Sequence, residues 1–157
     1  MEFLLNKQNP RFRLNQKTRE VIIFLISLAC IFLFLSSAYT KVVDHERFVR
    51  GLENVSFLKG IAPLVGWAVP ATEIIVAILL IIPRTYRLGL FGFGGLMTIF
   101  TIYIAGLMLW AEKLPCGCNL FIETLSWGQH LIFNIGFIFL SIYALWLSKK
   151  QFIAIRL

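Results

Sequence analysis

Four apolar runs, each long enough to cross a bilayer, occupy most of this sequence: Val21–Tyr39, Gly60–Ile82, Gly89–Ala111 and Gln129–Ser148. A membrane-spanning helix needs roughly 20 largely apolar residues. Inside lipid, every backbone N–H and C=O must be satisfied within a helix or a closed barrel. The runs are continuous and lack the alternating polarity of barrel strands, so helices are expected. Composition points the same way. Only 15% of residues are charged and 59% are hydrophobic, whereas a soluble domain carries about 25% charged residues. So much apolar surface also excludes a disordered chain. The expected fold is all-α, a polytopic membrane protein built as a four-transmembrane-helix bundle over residues 21–148. A basic tail precedes it over residues 1–20 and a short tail follows it over 149–157.

The first run has a competing reading. It follows a basic stretch and reaches Ser36-Ser37-Ala38, which resembles the small-residue cleavage site of a signal peptide. Its length favours a retained helix.

Orientation is read from the charges. Lys7, Arg11, Arg13, Lys17 and Arg19 precede the first helix, Arg84 and Arg87 link the second to the third, and Lys149, Lys150 and Arg156 follow the fourth. An even number of helices puts all three groups on one side, which then holds ten of the 15 basic residues. On the other side Lys41, Arg47, Arg50, Lys59 and Lys113 are balanced by Asp44, Glu46, Glu53, Glu112 and Glu123. The excess of Lys and Arg therefore predicts cytoplasmic termini. The net charge of +7 is a topology signal spread over three edges of a membrane protein, and a nucleic-acid partner is not expected.

Two outer loops result. In Thr40–Lys59, Val42, Phe48, Leu52 and Val55 recur near helical spacing, which predicts a short extracytoplasmic amphipathic helix lying on the surface. Gly89, Gly92 and Gly95 fit close helix packing in lipid. Pro63 and Pro70 are expected to bend or open the second helix. Trp67, Trp110, Trp127 and Trp146 read as interfacial anchors. Cys30, inside the first helix, reads as small apolar packing.

A few residues exceed what a lipid-soluble bundle needs. Glu73 sits mid-helix in PATEII, where a charge costs several kcal/mol. It must be protonated, paired or open to a polar cavity. Its role is either a proton relay or contact to a redox centre, or a hydrogen bond between helices. His130 and Asn134 lie i,i+4 on one helix face. His130 reads equally as a proton carrier or head-group ligand and as an interfacial contact, and Asn134 leans toward a structural bond. Tyr103 adds a polar tip in the outer part of the third helix, with packing as its ordinary role.

Cys116-Gly117-Cys118 falls in the second outer loop, on the oxidising side where disulfides persist. A Cys-x-Cys disulfide closes a very small ring and is strained, and strained disulfides are the oxidising ones. Thiol–disulfide exchange is therefore one reading. A structural loop clip is the second. Metal binding with His130 is the third, although two thiols and one imidazole are a thin ligand set and no metal site is expected.

VPATE at Val69–Glu73, the aromatic third helix with Tyr103, PCGC at Pro115–Cys118, and LSWGQHLIFN at Leu125–Asn134 together resemble the DoxX-like superfamily, in its MauE branch. The resemblance covers Lys41 to Trp146. It implies a redox-associated four-helix membrane protein of the bacterial inner membrane. MauE-like proteins are linked to maturation of a disulfide-rich periplasmic amine dehydrogenase alongside a thioredoxin-like partner, and DoxX-like relatives to quinone-coupled sulfur oxidation. Carried over, Cys116 and Cys118 are the redox pair, and Glu73, His130 and Asn134 are the polar core positions. Asn119-Leu120-Phe121 departs from the glycine-rich continuation usual after CGC.

The leading expectation is a membrane thiol–disulfide redox protein. Its catalytic candidates are Cys116, Cys118, His130 and Glu73. A membrane quinone is the implied cofactor, with His130, Asn134 and Tyr103 as candidate contacts. Its partners are the lipid bilayer and a periplasmic thioredoxin-like or substrate protein. The alternative is a non-enzymatic integral subunit that anchors a larger envelope complex, its many Phe residues packing against other membrane subunits. No internal repeat supports a transporter.

Overall fold

A computed structural model describes residues 15–55, 58–110 and 127–155. It contains five helices: α1 (Gln16–Val43), α2 (His45–Glu53), α3 (Ala62–Ile81), α4 (Tyr86–Trp110) and α5 (Trp127–Ile155). Among the described residues there is no strand. Four of the helices are long and apolar enough to cross a membrane, and α2 is the extra, short one. The expected all-α fold with four membrane-spanning helices is what the chain adopts.

The long helices form a ring in which α1 lies beside α3 and α5, and α4 lies beside the same two, so α1 and α4 face each other across a diagonal. Phe34 of α1 meets Phe93 of α4 across the centre with ring centroids 4.4 Å apart. Around them pack Cys30, Val76, Leu80, Leu90, Met97 and Ala144. The outward faces are equally apolar: Phe24, Leu64, Phe91, Leu109, Ile132 and Phe139 are all exposed. A bundle that is apolar both inside and out is at home only in lipid.

Small residues set how closely the helices approach. At Gly89 an added Cβ would lie 2.8 Å from the backbone nitrogen of Leu80, and at Gly92 it would lie 3.0 Å from Val76. Thus α3 and α4 touch backbone to backbone next to the turn that joins them. Gly95, of the same expected series, has nothing within 4 Å and is exposed. Close packing therefore uses Gly89 and Gly92. At the same end, Arg87 donates to the Ser148 carbonyl and ties α4 to α5.

At the opposite end, α2 lies across the start of α3. His45 stacks on Trp67 at 4.2 Å between centroids. Gly66 gives α2 its seat, since a Cβ there would come within 2.6 Å of Val49 Cγ2. The expected amphipathic helix is thus present, but shorter than its sequence pattern. Val42 belongs to α1 and is exposed, while Phe48 and Leu52 turn into the bundle. Pro63 sits in the first turn of α3, where its missing N–H costs nothing. Only Pro70 lies inside that helix.

Candidate functional site

Lys41 is in the last turn of α1 and is buried. The sequence reading placed it in a watery loop, balanced against acids. That reading is corrected, because α1 runs on to Val43. Side chains on a helix tilt toward its N-terminus, so the Lys41 stem points back along α1 toward Ser37, one turn earlier. Its ammonium donates to Ser37 Oγ and to Glu73 Oε1, the latter at 2.7 Å. Ser37 Oγ donates to the same carboxylate oxygen at 2.8 Å. The three groups close a triangle between α1 and α3.

Glu73 is completely buried. Of the fates open to a mid-helix acid, this one is pairing. A buried charge pair holds only where the remaining lone pairs and protons are also satisfied. Here that condition is met on one side only. Glu73 Oε2 is buried and has no hydrogen-bond partner among the described residues. The Lys41 ammonium also lies 5.3 Å from the Phe100 ring centroid and 5.7 Å from that of Phe48. Both are within the range of cation–π attraction.

The triangle forms part of the wall of a cavity of about 770 Å³. Volumes of this size hold a drug-sized molecule. Leu33, Phe34, Val65, Val69, Met97 and Ile104 give most of its wall an apolar character, and Phe48 and Leu52 of α2 roof it. Ile99 and Ile102 also line it although both are well exposed on α4, so the cavity reaches the outer face of the bundle. Gly106, another lining residue, has nothing within 4 Å of its Cβ position.

Four of the residues singled out from sequence, Glu73, Tyr103, His130 and Asn134, line this one cavity. Asn134 is buried. The cavity that holds them is mainly apolar. Cys116 and Cys118 lie outside the described residues. Sequence reasoning missed Lys41 and Ser37. The signal that finds them is the i,i+4 spacing of Ser37 and Lys41 at the edge of the first apolar run, on the side of the membrane from which Glu73 is reached. Among the described residues no cluster of His, Cys, Asp or Glu is fit to hold a metal ion.

A helical membrane bundle with a buried ion pair in the wall of an internal cavity defines the class: a multi-pass membrane protein. Residues 19–147 match the family described as methylamine utilisation protein MauE. That match spans most of the chain, and the chain belongs to this redox-associated family. No curated protein and no solved structure matches it.

Proposed function

We propose that this protein is a membrane thiol–disulfide redox protein of the bacterial inner membrane, acting through Cys116 and Cys118 on a periplasmic thioredoxin-like or substrate protein. The observation that carries the reading is the position of the cavity. Residues 111–126, which contain both cysteines, join α4 to α5, and the flanking helix ends supply Leu107, His130 and Asn134 to the cavity wall. The cavity is thus lined from the ends of α4 and α5 that flank the thiol-bearing segment in sequence, which supports a second reactant bound near it. The distribution of Lys and Arg supports an outward orientation for that end, with both termini cytoplasmic.

The exchange balances as follows. A thiolate of the partner attacks one sulfur of the Cys116–Cys118 disulfide, and the other sulfur leaves with the electron pair of the broken bond. The second partner thiol then resolves the mixed disulfide. The partner ends oxidised, and Cys116 and Cys118 end as two thiols. Renewal requires a two-electron acceptor. The donor set and wall fit a membrane quinone, because Lys41 offers protons, Glu73 Oε2 offers an unfilled acceptor, and the remaining wall is apolar and open to lipid. When bound, a quinone supplies acceptance of two electrons and two protons. Glu73, Lys41, His130, Asn134 and Tyr103 would hold its head group.

Trapping tests the thiol step. In intact membranes, Cys118→Ala is expected to accumulate a mixed disulfide through Cys116, or the reciprocal variant one through Cys118, seen as a reducible higher-mass band after acid quenching and alkylation. No adduct in either variant, together with normal partner oxidation in the double replacement, would sink the redox reading and leave a scaffold subunit.

A further inference from the structure

Phe48 and Leu52 cover the cavity from α2, and the way α2 is held decides whether they stay there. One residue, Asp44, joins α1 to α2, and its backbone leaves the helical conformation at φ −100° and ψ 39°. Among the described residues, α2 packs on α3 and α1, and its backbone comes close to neither α4 nor α5. It is thus anchored on one side of the ring and overhangs the cavity from there. The anchorage is incomplete. His45 Nδ1 is buried with no hydrogen-bond partner among the described residues, and an unpaired buried polar atom carries a cost that water removes. A cleft of about 270 Å³ follows the seam, lined by His45, Val49 and Glu53 of α2 and by Pro63 of α3. The pair of Arg50 with Glu46 lies within α2 itself and adds no hold on the bundle. Against these stand the stack of His45 on Trp67, the seat of Val49 on Gly66 and the burial of Leu52. The exposed Asn54, just after α2, also lines the cavity, so the rim that α2 covers borders the aqueous side.

We propose that α2 is a lid: it swings about Asp44, and lifting it carries Phe48 and Leu52 off the cavity and opens the Lys41–Glu73 pair to water. With α2 docked, the wall at Ile99 and Ile102 leaves the cavity open toward lipid. With α2 lifted, it is open toward water as well. A residue at the end of an element commonly absorbs the change of backbone angles in such a motion, and elements held by few contacts are the ones that open locally. The lid governs access to the cavity. It goes beyond the thiol reading, because it requires neither cysteine and no particular occupant.

The test uses the full chain carrying Cys116→Ala and Cys118→Ala in lipid nanodiscs, with Val69→Cys as a reporter. Val69 lines the cavity one turn before Glu73 on α3. The probe is a charged, water-soluble methanethiosulfonate that does not enter lipid, and labelling is followed by intact mass. The chain without the reporter gives the blank for Cys30. The reporter is expected to label slowly, well below the rate of Lys59→Cys at an exposed position. Gly66→Ala drives a methyl against Val49 and is expected to speed the reporter roughly fivefold by raising the lifted population. His45→Phe keeps an aromatic ring on Trp67 and removes the unpaired nitrogen, and is expected to slow the reporter roughly threefold. Labelling of Lys59→Cys is expected to be the same in all three backgrounds. His45→Phe introduces no clash with the backbone, so it decides the question if Gly66→Ala fails to fold. A reporter rate unchanged by His45→Phe, or a parent reporter as fast as Lys59→Cys, overturns the lid. Neither result touches the disulfide trapping above, which is read through the cysteines that are absent here.

Discussion

Lys41 and Glu73 are each costly alone and tolerable together. Removing one partner of a buried pair leaves an uncompensated charge, at a cost of about 3–5 kcal/mol, whereas replacing both is often neutral. Lys41→Met is therefore expected to lower the unfolding midpoint in detergent strongly, and Lys41→Met with Glu73→Leu to recover most of the loss. Circular dichroism melts of the three proteins check this. Equal melting of the single and parent proteins would mean that the pair contributes nothing. Glu73 was legible in the sequence because an acid inside an apolar run has no ordinary place. Lys41 was not, because a lysine at the edge of such a run normally extends its stem toward water. Here Ser37 and Glu73 draw it the other way. That partnership joins residues 32 positions apart and leaves no mark in either local sequence.

At the scale of elements, apolar runs announced all four spanning helices, but α1 and α5 outlast their runs at both ends, whereas α3 stops short of its run. Thus α1 begins at Gln16 and ends at Val43, several residues beyond Val21–Tyr39 on both sides. Hydropathy marks where lipid contact stops. Hydrogen bonds from N–H to the C=O four residues earlier continue into water as long as nothing breaks them. The glycine pattern was only half informative for a similar reason, since spacing cannot say which small residue faces a neighbouring helix. Gly89→Ala drives a methyl against the backbone of α3 and is expected to cost about 1–3 kcal/mol, the usual range for overpacking. Gly95→Ala meets open space and is expected to be neutral or slightly stabilising, as alanine is the better helix former. A paired thermal melt separates the two, and equal losses would contradict the close approach at Gly89. Gly66→Ala is expected to unseat α2 by its clash with Val49. Faster amide exchange across residues 45–53, with α1 unaffected, would report it, and unchanged exchange would count against the seat.

For the whole molecule, taking Lys41 out of the aqueous tally sharpens the charge asymmetry. The proposed outer side keeps Arg47, Arg50, Lys59 and Lys113 against five acids and becomes slightly acidic. In a background with Cys116 and Cys118 replaced by Ala, Lys59→Cys is expected to react with a membrane-impermeant maleimide in whole spheroplasts, and Arg84→Cys only after lysis. The opposite pattern would invert the proposed topology. The cavity as a whole was not legible, because its wall is assembled from side chains on all five helices, a juxtaposition that no linear pattern encodes. Its polar members were nonetheless few enough to be picked out one by one.

The triangle of Ser37, Lys41 and Glu73 also bears on how the chain is made. Both partners of the ion pair lie on α1 and α3, which leave the ribosome before α4 exists. A charged side chain at mid-helix raises the cost of membrane insertion by about 2.5–3.5 kcal/mol, so α3 by itself is a reluctant passenger. With α1 already in the translocon, its lysine can meet the incoming acid and let the two helices partition into lipid as a hairpin. A nascent chain arrested after Ile81 should then integrate α3 less efficiently when Lys41 is Met, as read by alkali extraction or a glycosylation tag placed beyond α3. The same substitution should leave integration of α1 untouched.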